Sequence, residues 1–135
     1  MTRSIELEIL GRGHVHEAPQ EEALFDLVEV ALASAGIDAG HLAVEFVDAR
    51  RIAELNREYR GHEGPTDVLS FPVDGDEPAP GPRELGDVVI CPEHTQDLRE
   101  AVVHGVLHLV GMDHEVDDGE MLALQRELLS WYADD

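Results

Sequence analysis

The sequence predicts an α+β domain, a small mixed sheet of four strands packed with about four helices. Two observations carry this reading. Apolar residues recur with a period of two in four short stretches and with helical spacing in four others, in the order β-α-β-α-β-β-α-α. A chain of 135 residues, 43% of them hydrophobic, is also one domain's worth of sequence and can bury a real core, so 1–135 reads as a single domain.

Taken in order, Ile5 to Leu10 alternates as a first strand. Gln20 to Ala35 carries Leu24, Leu27, Val28, Ala31 and Leu32 at helical spacing, and Gly36 is a natural stop. Leu42 to Val47 reads as a second strand, and Ala49 to Tyr59 as a short helix rich in both charge signs. The turn signal Gly64-Pro65 opens a third strand, Asp67 to Phe71, and Asp87 to Cys91 forms a fourth. Between these two strands lie Pro72, Pro78, Pro80 and Pro82 with Gly75 and Gly81, the composition of a mobile loop. A helix from a Thr95 N-cap to Val110 follows. The last helix opens at Asp117, three residues before Glu120 in a capping-box pattern, and runs to about Tyr132.

The formal net charge is −21, and all nine cationic side chains are arginine. So acidic a surface repels phosphates and anionic lipid at long range, which excludes a polybasic DNA coat or membrane patch. Contact with RNA would have to be local, held by a few arginines. Cys91 is the only cysteine, so neither an intrachain disulfide nor a four-cysteine metal site is available. The first residues alternate polar and apolar and do not resemble a secretory signal. The longest uncharged apolar run, Ala101 to Met112, falls far short of the ~20 residues of a membrane span. The expected location is the cytoplasm.

Chemistry concentrates in His104-Gly105-Val106-Leu107-His108-Leu109-Val110-Gly111-Met112-Asp113-His114. His104 and His108 are four apart on a predicted helix and share one face. Gly111 can end that helix in a left-handed conformation, so the chain can turn back and bring His114 to the same ion. Either of the first two histidines alone reads as an ordinary helix-surface residue. All three together read as ligands of one metal ion with a fourth position open, the arrangement of a catalytic zinc. Nickel is the alternative, since imidazole suits both. The spacing matches the long zinc-protease motif with one difference: Gly105 stands where those enzymes carry the glutamate that serves as general base. Efficient peptide hydrolysis is therefore not expected. A substrate with an internal nucleophile, such as the 2′-hydroxyl of RNA, remains suited to the site.

This histidine segment resembles the signature of the YbeY family of bacterial endoribonucleases and ribosomal-RNA maturation factors. Leu55-Asn56-Arg57-Glu58-Tyr59-Arg60-Gly61, followed by Pro65-Thr66-Asp67-Val68-Leu69-Ser70-Phe71-Pro72, is similar to its second motif. Leu85 to Cys91 is similar to its third. Together they span most of the chain from Leu42 onward. The resemblance implies that His104, His108 and His114 bind one zinc ion and that Arg60 and His114 are the functionally critical residues. It further implies single-strand-specific cleavage in the 3′-end maturation of small-subunit ribosomal RNA, a role in ribosome quality control, and the small ribosomal subunit as partner. One departure is visible. Only the twelve residues Pro92 to Val103 separate Cys91 from His104, where the family usually has a longer helical segment.

Arg60 can also be read from its chemistry, because guanidinium grips phosphate through a planar, permanently charged fork. With Arg50, Arg51 and Arg57 it forms the one candidate phosphate-binding patch. Those three are expected to pair with Glu54 and Glu58 on a solvated face. Thr66, Asp67, Ser70 and Asp87 have structural roles as their default. Asp67, Asp87 and Glu115 are equally open as general bases, and Asp113 as a group orienting a ligand histidine. Cys91 reads as a buried strand residue, with a closing fourth zinc ligand as the alternative. His14, His16, His41, His62 and His94 lack ligand spacing and read as surface residues. Two further functions stay open: a non-catalytic assembly factor with structural zinc, and a zinc peptidase. The acidity also suggests docking of a basic ribosomal protein.

Overall fold

The computed structural model describes residues 4–15, 21–73, 84–112 and 117–130. Strand β1 (Ser4–Leu10) leads through a short 3-10 turn to helix α1 (Glu21–Ser34), then β2 (Ala39–Phe46) and α2 (Ala49–Arg60). The edge strand β3 (Val68–Pro72) precedes β4 (Glu84–Ile90), and α3 (Leu98–Leu109) and α4 (Glu120–Ser130) follow. The expected α+β architecture is therefore the observed one. Residues 74–83, most of the proline-rich connection between β3 and β4, lie outside the described residues, as do His16, Asp113, His114, Glu115 and Tyr132.

The sheet runs in the order β1-β2-β4-β3. β1 pairs in parallel with β2, and β2 with β4, while β3 runs antiparallel against β4. The register between β2 and β4 shifts between His41 and Leu42, leaving Leu85 as the extra residue just before Gly86. At this glycine φ is +130°, and a Cβ would run into the main chain of Phe71 and Pro72. Only glycine fits at that point.

One face of the sheet carries the main core. Ile5, Leu42, Val44, Phe46, Val88 and Ile90 meet Leu24, Leu27, Val28, Val102, Val103, Val106, Leu107, Met121 and Leu128 from α1, α3 and α4. A smaller cluster forms on the opposite face, where Val47, Ile52, Leu55, Leu69, Val89 and Cys91 pack together beneath α2. Helix α3 touches α1, α4, β3 and β4, so most of its surface is buried. Its half-buried side is the one that carries His104 and His108.

Three helix ends differ from the sequence reading. α3 starts at Leu98 rather than near Thr95, because the Asp97 carboxylate accepts from the N–H groups of Arg99 and Glu100, a full N-cap. The Thr95 hydroxyl instead donates to Cys91 O at 2.7 Å and closes the turn Pro92–His94. Arg60 belongs to the last turn of α2 rather than to a loop, where its charge complements the helix dipole. Gly61, left-handed at φ +69°, ends that helix, and its N–H bonds to Arg57 O. At α4 the expected capping box does not form: the helix starts at Glu120 rather than Asp117, Asp117 accepts from Gly119 N–H and Met121 N–H, and Glu120 accepts from Asp118 N–H instead of from Asp117.

Candidate functional site

A cleft of about 580 Å³ opens along the free edge of β3. Val68 to Pro72 line its floor, Tyr59 and Arg60 reach it from the end of α2, and His104 and His108 reach it from α3. Thr66 and Asp67 complete the lining. The placement follows from topology. Because β3 is the outermost strand, α2 on one face and α3 on the other both meet at its edge, which brings Arg60 and the histidines to one opening.

The edge itself is blunted. Val68 N–H is satisfied locally by Asp67 Oδ1 at 2.8 Å, and Pro72 has no N–H to offer a further strand. The Ser70 hydroxyl donates to Gly105 O at 2.7 Å and ties β3 to α3. Asn56, 5% exposed, donates from Nδ2 to Gly64 O at 2.9 Å, and His62 N–H reaches Asn56 O. These bonds fasten the loop after Arg60 to the helix that carries it.

His104 and His108 stand edge to face with ring centroids 4.7 Å apart. His104 Nδ1 donates to Gln125 Oε1 at 2.8 Å, which assigns the proton to Nδ1 and leaves Nε2 as the basic nitrogen. A histidine oriented by a second side chain through its other nitrogen is the usual arrangement of a metal ligand. Gln125, 6% exposed, was missed in the sequence reading. Its signal was a polar residue within the buried stripe Met121, Gln125, Leu128 of α4. After His108 the helix ends at Gly111 as expected: at φ +101° its N–H bonds to His108 O, and Met112 N–H bonds to Leu107 O. Among the described residues no group of three histidine, cysteine or acidic side chains forms a complete metal site, and His114 lies outside them. Two imidazoles on one helix face, one with its tautomer fixed, nonetheless fit the donor set of zinc or nickel.

The other singled-out residues sort clearly. Asp67 lines the cleft, and Asp87, exposed on β4, is not among its lining residues. Cys91 is fully buried in the cluster beneath α2, where burial pushes its thiol pKa up. It is a core residue there and lines no part of the histidine cleft. Arg50 and Arg51 both reach Glu54, at 3.5 and 3.3 Å, as the solvated-face reading expects. His41, read as a surface residue, is half-buried and paired: its Nδ1 lies 2.8 Å from Glu84 and its Nε2 3.5 Å from Glu8.

Residues 12–133 match the sequence model of the family described as Endoribonuclease YbeY. The chain belongs to the YbeY family. A relative named endoribonuclease YbeY from Corynebacterium efficiens is 39% identical over 143 aligned residues, covering 88% of this chain and 72% of the relative. One of the same name from Mycolicibacterium vanbaalenii is 41% identical over 137, covering 84% and 74%. The solution structure of a Thermotoga maritima protein, 28% identical, superposes with a TM-score of 0.55 over 95% of this chain and 93% of that one.

Against this YbeY background, Gly105 is explained by packing. Its Cα lies so close to the sheet that a Cβ would overlap Val88 Cγ1 and approach Val68 Cγ2 to 3.1 Å. The position between the two helical histidines therefore faces the core, not the cleft. A glutamate there could not reach a substrate. The segment between β4 and His104 is also compact, with one 3-10 turn leading directly to the Asp97 cap of α3.

Proposed function

We propose that this chain is a metal-dependent endoribonuclease that cleaves single-stranded RNA in the cleft beside β3, acting on the 3′ end of small-subunit ribosomal RNA. The single observation that carries the reading is the convergence of Arg60, His104 and His108 on one opening. The names of the family and of its relatives support the nuclease chemistry. His104, His108 and His114 would hold one zinc ion, which when bound supplies Lewis acidity and makes a water acidic near neutral pH.

The chain's own side chains divide the remaining work. Arg60 presents a bidentate donor fork to a phosphate from the wall opposite the histidines. Gln125 holds the His104 ring in one tautomer, so that ligand needs no reorganisation on loading. Asp67 lines the cleft and would be the carboxylate that takes a proton from a 2′-hydroxyl or from water. Gly105 argues against the peptidase reading, because the general base of that motif has no room at the sheet surface. Buried Cys91 argues against a closed structural zinc site with that thiol as fourth ligand. The partners that accord with this reading are the small ribosomal subunit and, on the acidic surface, a basic ribosomal protein. Its site of action would be the cytoplasm.

The test is cleavage of a small-subunit ribosomal-RNA 3′ precursor by wild-type and His108→Ala protein, purified in parallel and loaded with zinc. Cleavage by the wild type that disappears in the variant is expected. No cleavage by zinc-loaded wild type would overturn the enzymatic reading in favour of an assembly factor.

A further inference from the structure

Among the described residues Tyr59 is the most exposed large apolar side chain, at 63%, and it sits beside Arg60 on the rim of the histidine cleft. It is not simply loose on the surface. Its ring packs against Phe71 of β3 with centroids 5.2 Å apart and planes at 71°. In such an edge-to-face pair each ring keeps at least one broad face uncovered by its partner. Phe71 therefore fixes the tilt of Tyr59 without consuming its surface, and both rings line the same opening as Arg60, His104 and His108.

We propose that Tyr59 and Phe71 form a stacking shelf for one nucleobase of the single-stranded RNA whose adjoining phosphate Arg60 holds. This rests on the endoribonuclease reading above and adds a binding residue to it. The chemistry suits the protein's charge. A surface of net charge −21 gains little from long-range attraction to a polyanion, so affinity has to come from contacts that do not depend on it. Base stacking on an aromatic side chain is such a contact, and it tolerates sequence because every base has a π face. It also requires an unpaired base, which makes single-strand preference a property of this shelf. Tyr59 and Arg60 both line this one cleft, so a base and its adjoining phosphate can be met at the same opening.

The experiment measures binding of a short, fluorescently labelled single-stranded RNA as a function of salt, using wild type, Tyr59→Leu, Tyr59→Trp and Arg60→Ala, with cleavage kinetics in parallel. Tyr59→Leu keeps apolar contact with Phe71 but removes the π face. It should weaken binding about 5- to 100-fold at every salt concentration with an unchanged salt slope. KM should rise by a similar factor while kcat changes little, and Tyr59→Trp should restore binding. Arg60→Ala should instead flatten the slope by about 0.7. An RNA carrying an abasic site at the contacted position should bind wild type and Tyr59→Leu alike. Tyr59→Leu that binds and cleaves like wild type would overturn the shelf and leave the nuclease reading standing. Failure of wild type to bind single-stranded RNA would overturn both.

Discussion

Gly105 is where the fold and the chemistry of this chain constrain each other most tightly, so Gly105→Ala tests the packing argument directly. In an exposed helix that change stabilises by about 1 kcal/mol, because alanine loses less backbone entropy than glycine. Here the added methyl would overlap Val88 Cγ1 and crowd Val68 Cγ2 at 3.1 Å, with both neighbours held in the sheet. Overpacking of this kind costs about 1–3 kcal/mol. The net expectation is destabilisation of about 1 kcal/mol, or a fall of about 4 °C in Tm for a domain of this size. Urea unfolding measures it, with an unchanged m-value indicating an intact two-state transition. Gly13→Ala is the control. Gly13 is exposed, and a Cβ there meets nothing within 4 Å, so that change should be neutral or stabilise by up to about 1 kcal/mol. Gly105→Ala as stable as wild type, or more so, would refute the close approach of α3 to β4 and with it the argument that no general base fits at this position.

Two further outcomes follow from the side chains around the site and the sheet. Gln125→Leu should lower zinc affinity about 10- to 100-fold while the fold is retained, because it removes the acceptor that orients His104; competition against a chromophoric chelator measures it, and unchanged affinity would refute the role. His41 has its pKa raised above the usual 6.5, chiefly by its hydrogen bond to Glu84; burial opposes this, and the Glu84 charge and then Glu8 add to the rise. The protonated ring holds β1, β2 and β4 together, so its contribution is complete below about pH 6.5 and is lost as pH rises through the elevated folded value. With the ring 30% exposed, the effect should stay below about 1 kcal/mol. Urea midpoints of wild type and His41→Gln should differ at about pH 5.5 and converge by about pH 8.5; an equal gap at both would refute it.

What was legible in the sequence is what local periodicity encodes. The four strands and four helices follow from period-two and helical spacing, and the pair His104 and His108 follows from spacing alone. The open edge of β3 did not. It depends on β4 inserting between β2 and β3, a long-range pairing that no local pattern records. Without that order, Arg60 and the histidines are merely distant in sequence. Capping was harder to read where two candidates compete, as when Thr95 closes a turn and Asp97 caps the helix. Gln125 and Tyr59 escaped for opposite reasons. A buried polar residue in an amphipathic helix passes for surface until its partner is known, and an exposed aromatic passes for a helix end until the cleft beside it is seen.

The charge of −21 then becomes compatible with an RNA substrate on physical grounds. Two electrostatic effects oppose each other as salt rises. Counterion release weakens binding by a slope of about 0.7 for each phosphate neutralised on a single strand. Screening of the long-range repulsion between an acidic protein and a polyanion works in the other direction, since the Debye length shrinks from ~30 Å at 0.01 M to ~10 Å at 0.1 M. With Arg50 and Arg51 already engaged by Glu54, few guanidinium groups remain for phosphate at the cleft. The observed slope should therefore fall below the value set by the contacts alone. Affinity that survives in moderate salt would then come from the aromatic and histidine walls of the cleft, not from its field.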